Sequence, residues 1–484
     1  MGSLGPVQYI KPHVVVLPYP AQGHVNPMME FSKRLASKNI HVTFVITEAS
    51  RARMLQAQGS VLASPLPDIQ FETISDGLPV DFDRHKDVQR VLGLLQTVGG
   101  QTFEELIHRL EGEGESVSCI VYDSFLPWVP EIAKKLNIPS AFFWTQSCAV
   151  YSIYYHYSQG LEKKENQTGN ATDEISIPGL PPLRTSDLPS FLQPSNTYEF
   201  LERLVLDQFN TVSEATWLLG NSFEQLEAGE IKSIESLLPI RTVGPLVPSA
   251  FLDGNNPQDT DVGMHMWKAA NCLGWLDTKG QSSVIYVSFG SLAVLSKEQI
   301  WEIALGLRAS GHSFLWVIRP GENKAENNIE EHLPEKFLEE TAEQGLVVAW
   351  CPQMKVLSHP SVSVFMTHCG WNSTLESLSS GVPLLAVPQW SDQTTNSKYV
   401  EDKWKTGIRL KKREDGLLGR EEVENSIRTV MESERGIELR KNALRWKSLA
   451  REAMVKGGSS DKNIEDFVEE IIARASSMSP SVIV

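Results

Sequence analysis

The sequence predicts an α/β chain made of two parallel-sheet domains that face each other across a cleft. Two series of alternation carry this prediction, one over 13–145 and one over 283–388, in which apolar strand-like runs are followed by amphipathic helix-like runs. Between them, VGPLVPSAFLDGNNPQDTD (243–261) interrupts the periodicity with Pro, Gly, Asn and Asp, as an interdomain linker does. Strands that are apolar along their whole length are buried on both faces, which is the condition of a parallel sheet covered by helices.

In the first series HVVVLPYP (13–20) reads as a buried strand, NPMMEFSKRLASK (26–38) as an amphipathic helix and HVTFVIT (41–47) as the next strand. SCIVYD (118–123), WVPEIAKKL (128–136) and PSAFFWT (139–145) repeat the rhythm, and the polar tract EKKENQTGNATDE (162–174) reads as a surface loop. The second series is SVIYVSFGS (283–291), KEQIWEIALGLRASG (297–311), FLWVIR (314–319), GLVVAW (345–350), SVSVFMTHCG (361–370), STLESLSSG (373–381) and PLLAVP (383–388). DKNIEDFVEEIIARA (461–475) is a helix whose apolar stripe must dock on something. The division expected is 1–245, a linker at 246–262, and 263–460.

Composition narrows the function. With 484 residues, 41% hydrophobic and 21% charged, the chain has the make-up of a globular protein of two or three domains. A net charge of −16 argues against nucleic acid or an anionic membrane surface as partner, because both need a basic field. No membrane span and no signal peptide are expected. Five cysteines without a C-x-x-C pair fit reduced thiols in the cytoplasm. The sequons at Asn166, Asn170 and Asn372 are then expected to be unused.

In open parallel sheets, ligands bind beyond the carboxyl ends of the strands, and the unusual residues of this sequence cluster there. FMTHCGWNSTLESLSSG brings His368 and Gly370 to a strand end and Asn372, Ser373 and Thr374 to a helix start. Unpaired helix N–H groups and the macrodipole suit a phosphate or diphosphate there. Asn372 and Ser373 can donate to it, and His368 adds a proton donor, or a full charge if protonated. A capped helix with a core histidine is the competing reading. SFGS (288–291) offers Gly290 and Ser291 from a second strand end. There is no G-x-G-x-x-G after a strand and no G-x-x-x-x-G-K-[ST], which disfavours nicotinamide and P-loop enzymes. Trp350 offers a flat face for a base, with Gln353 behind it, or is a core tryptophan. Glu376, one turn after Asn372, can accept two ribose hydroxyls, or is an exposed helix charge. Asp392 and Gln393 end PQWSDQ (388–393) and suit a hydroxyl-rich ring.

The segment WCPQMKVLSHPSVSVFMTHCGWNSTLESLSSGVPLLAVPQWSDQ (350–393) resembles the signature box of plant family 1 UDP-sugar-dependent glycosyltransferases, with unbroken spacing. PYPAQGHVNP, VSFGS and the C-terminal helix extend the resemblance over nearly the whole chain. It implies a GT-B fold of two Rossmann-like domains, with the helix 461–475 crossing back to the first. The reaction implied is inverting transfer of a sugar from UDP to a small hydroxylated acceptor. It also implies roles: Trp350 on uracil, Gln353 on the nucleoside, Glu376 on the ribose, and Ser291, His368, Asn372 and Ser373 on the diphosphate. Trp371, Asp392 and Gln393 would line the sugar, Gln393 accompanies UDP-glucose in that family, and Thr145 would reach the sugar and phosphate.

That reaction needs a base for the attacking hydroxyl. His24 lies in PYPAQGHVNP between a strand end and a helix start, and an imidazole there contributes about 10²–10⁴-fold as general base. Asp123 ends SCIVYD, and parallel strand ends converge on one rim, so an Asp123–His24 dyad is expected. A helix-capping aspartate is the other reading. UDP-glucose is the expected donor substrate, with no prosthetic group and no metal. The D-x-D triplets Asp81–Asp83 and Asp259–Asp261 read as loop acidity, and Cys351, His359, His368 and Cys369 lack chelating pairs. The acceptor pocket is expected from Tyr19, Phe125, Trp144, YSIYYHY (151–157) and Phe191, which suits a flavonoid or other phenolic, though such aromatics are also ordinary core. A monomer is expected.

Overall fold

The computed structural model describes residues 11–58, 68–84, 86–160, 174–237, 239–261, 263–319 and 329–478. The polar tract 162–174, with Asn166 and Asn170, lies outside them apart from Glu174. The first sheet begins with β1 (His13–Leu17), β2 (His41–Thr47), β3 (Ile69–Ile74), β4 (Cys119–Asp123) and β5 (Ser140–Trp144). A short antiparallel pair follows, β6 (Glu174–Ile175) and β7 (Leu183–Arg184), and the sheet closes with β8 (Trp217–Gly220) and β9 (Arg241–Thr242). Its order is β3-β2-β1-β4-β5-β8-β9, parallel throughout. Val14, Val15 and Val16 have no exposed surface, as a central strand with helices on both faces requires.

The second sheet comprises β10 (Val284–Ser288), β11 (Ser313–Val317), β12 (Gly345–Val348), β13 (Val362–Thr367), β14 (Leu384–Ala386) and β15 (Gly407–Arg409). It is also parallel, in the order β12-β11-β10-β13-β14-β15. Each sheet reverses its direction of growth once, between β1 and β4 in the first and between β10 and β13 in the second. Such switch points open a crevice at the carboxyl ends of the strands; Asp123 is the last residue of β4, and the segments leaving β1, β10 and β13 carry His24, Gly290 and His368.

The stretch after β9 is strapped to the helix Gln22–Ser37. Lys33 Nζ bonds Glu30 at 2.8 Å, Asp259 at 2.7 Å and the Asp261 carbonyl at 2.7 Å, and Arg34 pairs with Asp253. Asp259 also accepts the Ser249 N–H at 2.8 Å, and Asp261 meets His265 Nε2 at 2.6 Å, so protein partners engage both carboxylates. The helix Ser459–Met478 docks on the first sheet: Phe467, fully buried, lies 5.1 Å from the Trp217 ring and 5.9 Å from that of Phe31. Ser460 Oγ donates to the Gly244 carbonyl at 2.6 Å and Asn463 Nδ2 to that of Thr242 at 2.8 Å. Among the described residues no helix is long and apolar enough to cross a membrane. All five cysteines are buried and unpaired.

Candidate active site

His24 occupies the first turn of Gln22–Ser37, reached directly from β1. Its Nδ1 lies 2.8 Å from Asp123 Oδ2 and 3.2 Å from Thr145 Oγ1. Asp123 is fully buried at the end of β4, and its second oxygen accepts the Phe125 N–H at 2.9 Å. With the carboxylate held from both sides, Nδ1 carries the proton and Nε2 is left with its lone pair. Tyr19 and Phe125, both half-buried, stand edge-on to the imidazole at 5.2 and 4.9 Å. Burial and the nearby Asp123 charge push the Tyr19 phenol up to about 12, so this tyrosine stays neutral.

Across the crevice, β10 and β13 end on a shared histidine. Gly290 has φ of 74°, and a Cβ there would lie 2.6 Å from the His368 ring; one on Gly370 would lie 2.5 Å from His368 Nε2. Glycine at both positions lets two backbone segments close on the imidazole. Cys369 between them is in the left-handed region at φ 63°, an uncommon state for a non-glycine residue, and one that clusters at functional sites. Burial lowers the His368 pKa to about 4, so the ring is neutral near pH 7.

The helix Trp371–Ser380 starts at Gly370 with no side-chain cap on its first N–H groups. The capping alternative is therefore not realised, and the positive end of the helix faces the crevice with Ser291 on the neighbouring turn. Gln353 organises the adjoining side chains. Its Oε1 accepts the Tyr286 hydroxyl at 2.9 Å, and its Nε2 donates to Ser373 Oγ at 3.0 Å and to the Glu376 carboxylate. Burial raises the Glu376 pKa to about 7. Asp392 is 6% exposed and bonded by Asn396 Nδ2 at 2.7 Å, and burial raises it to about 6. Gln393 Oε1 accepts the N–H groups of Gln389 at 2.9 Å and Trp390 at 3.1 Å, which leaves Nε2 as its donor.

Several side chains sit differently from expectation. Trp144 is fully buried, with its indole N–H on the Ser147 carbonyl at 2.9 Å, because the helix Cys148–Ser158 packs over it; it is core, not a cleft wall. Phe191 is 3% exposed and packs edge-on to Trp390 at 5.7 Å, in the contact between the two layers. Trp371 is likewise buried, donating to the Asn221 carbonyl at 2.6 Å, so its ring ties the layers together rather than lining the sugar. Asn372 Nδ2 donates to the Gly23 carbonyl at 2.7 Å, one residue before His24. Thr145 Oγ1 is turned to His24. Sequence reading missed Tyr286, whose place two residues before SFGS on a strand is its only local signal. It also missed Trp267, whose ring lies 4.7 Å from that of Trp350. Elsewhere, His13, His41 and Glu115 come within metal-ligand reach of one another at the opposite end of the first sheet. Thr43 and the Glu115 carbonyl already engage both His13 ring nitrogens.

Known proteins match this geometry along the chain. The family model described as UDP-glucoronosyl and UDP-glucosyl transferase matches residues 198–457, and the glycosyltransferase N-terminal domain model matches 11–177. UDP-glycosyltransferase 74E1 of Arabidopsis thaliana is 42% identical, over 94% of this chain and 98% of its own length. Gallate 1-beta-glucosyltransferase 84A23 of Punica granatum is 41% identical, over 96% and 91%. The crystal structure of Os79 from O. sativa in complex with UDP superimposes with a TM-score of 0.84 at 35% identity, over 95% of this chain and all of that one. The fold is GT-B and the protein is a glycosyltransferase: the chain belongs to the plant family 1 UDP-glycosyltransferases.

Proposed function

We propose that this enzyme moves glucose from UDP-glucose to a hydroxyl of a small plant phenolic, a flavonoid or a related compound, giving a β-glucoside. The observation that carries the reading is the Asn372–Gly23 bond, which sets the uncapped helix start of the second layer beside the turn holding His24. A leaving diphosphate and a proton acceptor are thereby brought together over one gap.

In this reading 263–460 holds the donor: Trp350 takes the uracil, Gln353 and Glu376 the nucleoside, and Gly290, Ser291, His368 and Ser373 the diphosphate. Asn372 joins them with whatever donor capacity Gly23 leaves. Asp392 and Gln393 take the sugar hydroxyls. Residues 1–245, joined by 461–475, hold the acceptor against the contacting rings of Tyr19 and Phe125. The acceptor oxygen gives its proton to His24 Nε2 as it bonds to the anomeric carbon. The bond from that carbon to the UDP oxygen breaks on the opposite face, inverting the α-linked donor to a β-linked product. Asp123 stabilises the imidazolium that forms. Negative charge developing on UDP meets the helix start and His368, whose pKa rises as the anion forms beside it. Acceptor choice draws support from a relative named for gallate, a phenolic, while Os79 has been seen with a trichothecene. Five reduced thiols favour a cytoplasmic setting.

The test is incubation of the purified protein with UDP-glucose and a panel of flavonoid, simple phenolic, terpenoid and carboxylic-acid acceptors, read by mass for a hexose gain and by NMR for anomeric configuration. A β-linked hexose on the phenolics is expected. Gain confined to terpenoids or acids would overturn the acceptor class, and an α-linked product the mechanism.

A further inference from the structure

The turn Gln389–Gln393 is shaped from outside by a residue of the first layer. Ser391, immediately before Asp392, has φ of 59°, a conformation disfavoured for any residue with a Cβ. Ser190 clasps it with two hydrogen bonds: the Ser190 N–H donates to the Ser391 carbonyl at 2.8 Å, and Ser190 Oγ accepts the Ser391 N–H at 2.6 Å. The flanking segments are laced in the same way, Thr394 Oγ1 donating to the Leu188 carbonyl at 2.6 Å and Thr395 Oγ1 to that of Asp187 at 2.7 Å. Asp187 is 3% exposed and meets Arg409 Nη1 on β15 at 2.6 Å. From inside, Gln393 Oε1 closes the same turn on the N–H groups of Gln389 and Trp390.

We propose that Ser190 is a positioning residue for donor-sugar discrimination: by holding Ser391 in its disfavoured conformation it aims the Asp392 carboxylate and the Gln393 amide, so that the acceptor-side layer takes part in choosing the hexose. The inference rests on the reading that Asp392 and Gln393 bind the sugar. Epimeric hexoses differ only in the direction of one hydroxyl, so discrimination between them is sensitive to small rotations of this turn. The UDP moiety is held by 290–291 and 350–376, outside the clasp, and is insensitive to it.

Ser190→Ala removes the acceptor for the Ser391 N–H. Loss of one such bond is expected to lower kcat/KM for UDP-glucose about five- to tenfold and to reduce the preference for UDP-glucose over UDP-galactose by a similar factor. Calorimetric affinity for UDP alone should stay within about twofold. Ser190→Thr keeps the hydroxyl and should retain the preference. An unchanged donor ratio in Ser190→Ala, or an equal loss for UDP alone, would overturn the clasp as a selectivity device. If the parent protein transferred no hexose to any acceptor, the functional reading would fall instead. The calorimetric difference between UDP-glucose and UDP would then still decide the clasp.

Discussion

At the scale of single residues, two ionisable groups divide the work. His24 is fixed by Asp123 and Thr145 through Nδ1, with the contacting rings of Tyr19 and Phe125 against it, so its chemistry is at Nε2. His24→Ala should lower kcat by about 10²–10⁴-fold, while UDP affinity, read by calorimetry, moves less than about twofold. Glu376 makes a different prediction. Its folded pKa of about 7 stands above the ordinary value of 4.5 because it is buried with only the Gln353 amide as partner. The unfolded chain therefore loses this proton first. Stability tied to the protonated carboxyl is fully present below about pH 4.5 and is lost as pH rises through 7. Glu376→Gln should remove that loss, stabilising the ligand-free protein at pH 8 by on the order of 1–2 kcal/mol in urea titrations and little at pH 5. The same variant should bind UDP more weakly, because the ribose loses a charged acceptor.

At the scale of elements, the proposed donor site is two strand ends closed on one imidazole. Gly290→Ala combines a disfavoured φ of 74° with a methyl 2.6 Å from the His368 ring, so the ring or the turn must move. UDP affinity should fall at least about tenfold while the far-UV circular dichroism is unchanged. The elements themselves were largely legible in the sequence. HVVVL, VIYVS and VSVFMT are mostly apolar and fully buried because these strands are covered on both faces, and SCIVYD showed its aspartate at a strand end. What escaped reading was direction. A tryptophan at a strand end can face cleft or core, and only the helix Cys148–Ser158 packed over Trp144 decides for core. Trp371 had the same ambiguity, resolved by a carbonyl 150 residues away. The Ser190–Ser391 clasp and the Trp267–Trp350 contact likewise join distant segments, and local periodicity carries no trace of such pairs.

At the scale of the molecule, the layers are joined by buried polar contacts as well as by the chain. Glu230, fully buried in Glu224–Ile234, takes Lys403 Nζ at 2.5 Å and the Tyr399 hydroxyl at 2.8 Å from the second layer. The final described helix returns to the first sheet, where Trp217 Nε1 and Arg241 meet Glu470 at 2.5 and 2.8 Å. Phe467→Ala should cost about 3–5 kcal/mol, seen as an earlier urea transition of the first layer. Because the returning helix covers Trp217 and Phe31, it also sets a timetable for biosynthesis. On a ribosome adding about 5–20 residues per second, those aromatics emerge roughly 10–90 s before their lid is made. During that interval the nascent first layer carries an uncovered oily face, and it is then that holdase chaperones have something to grip.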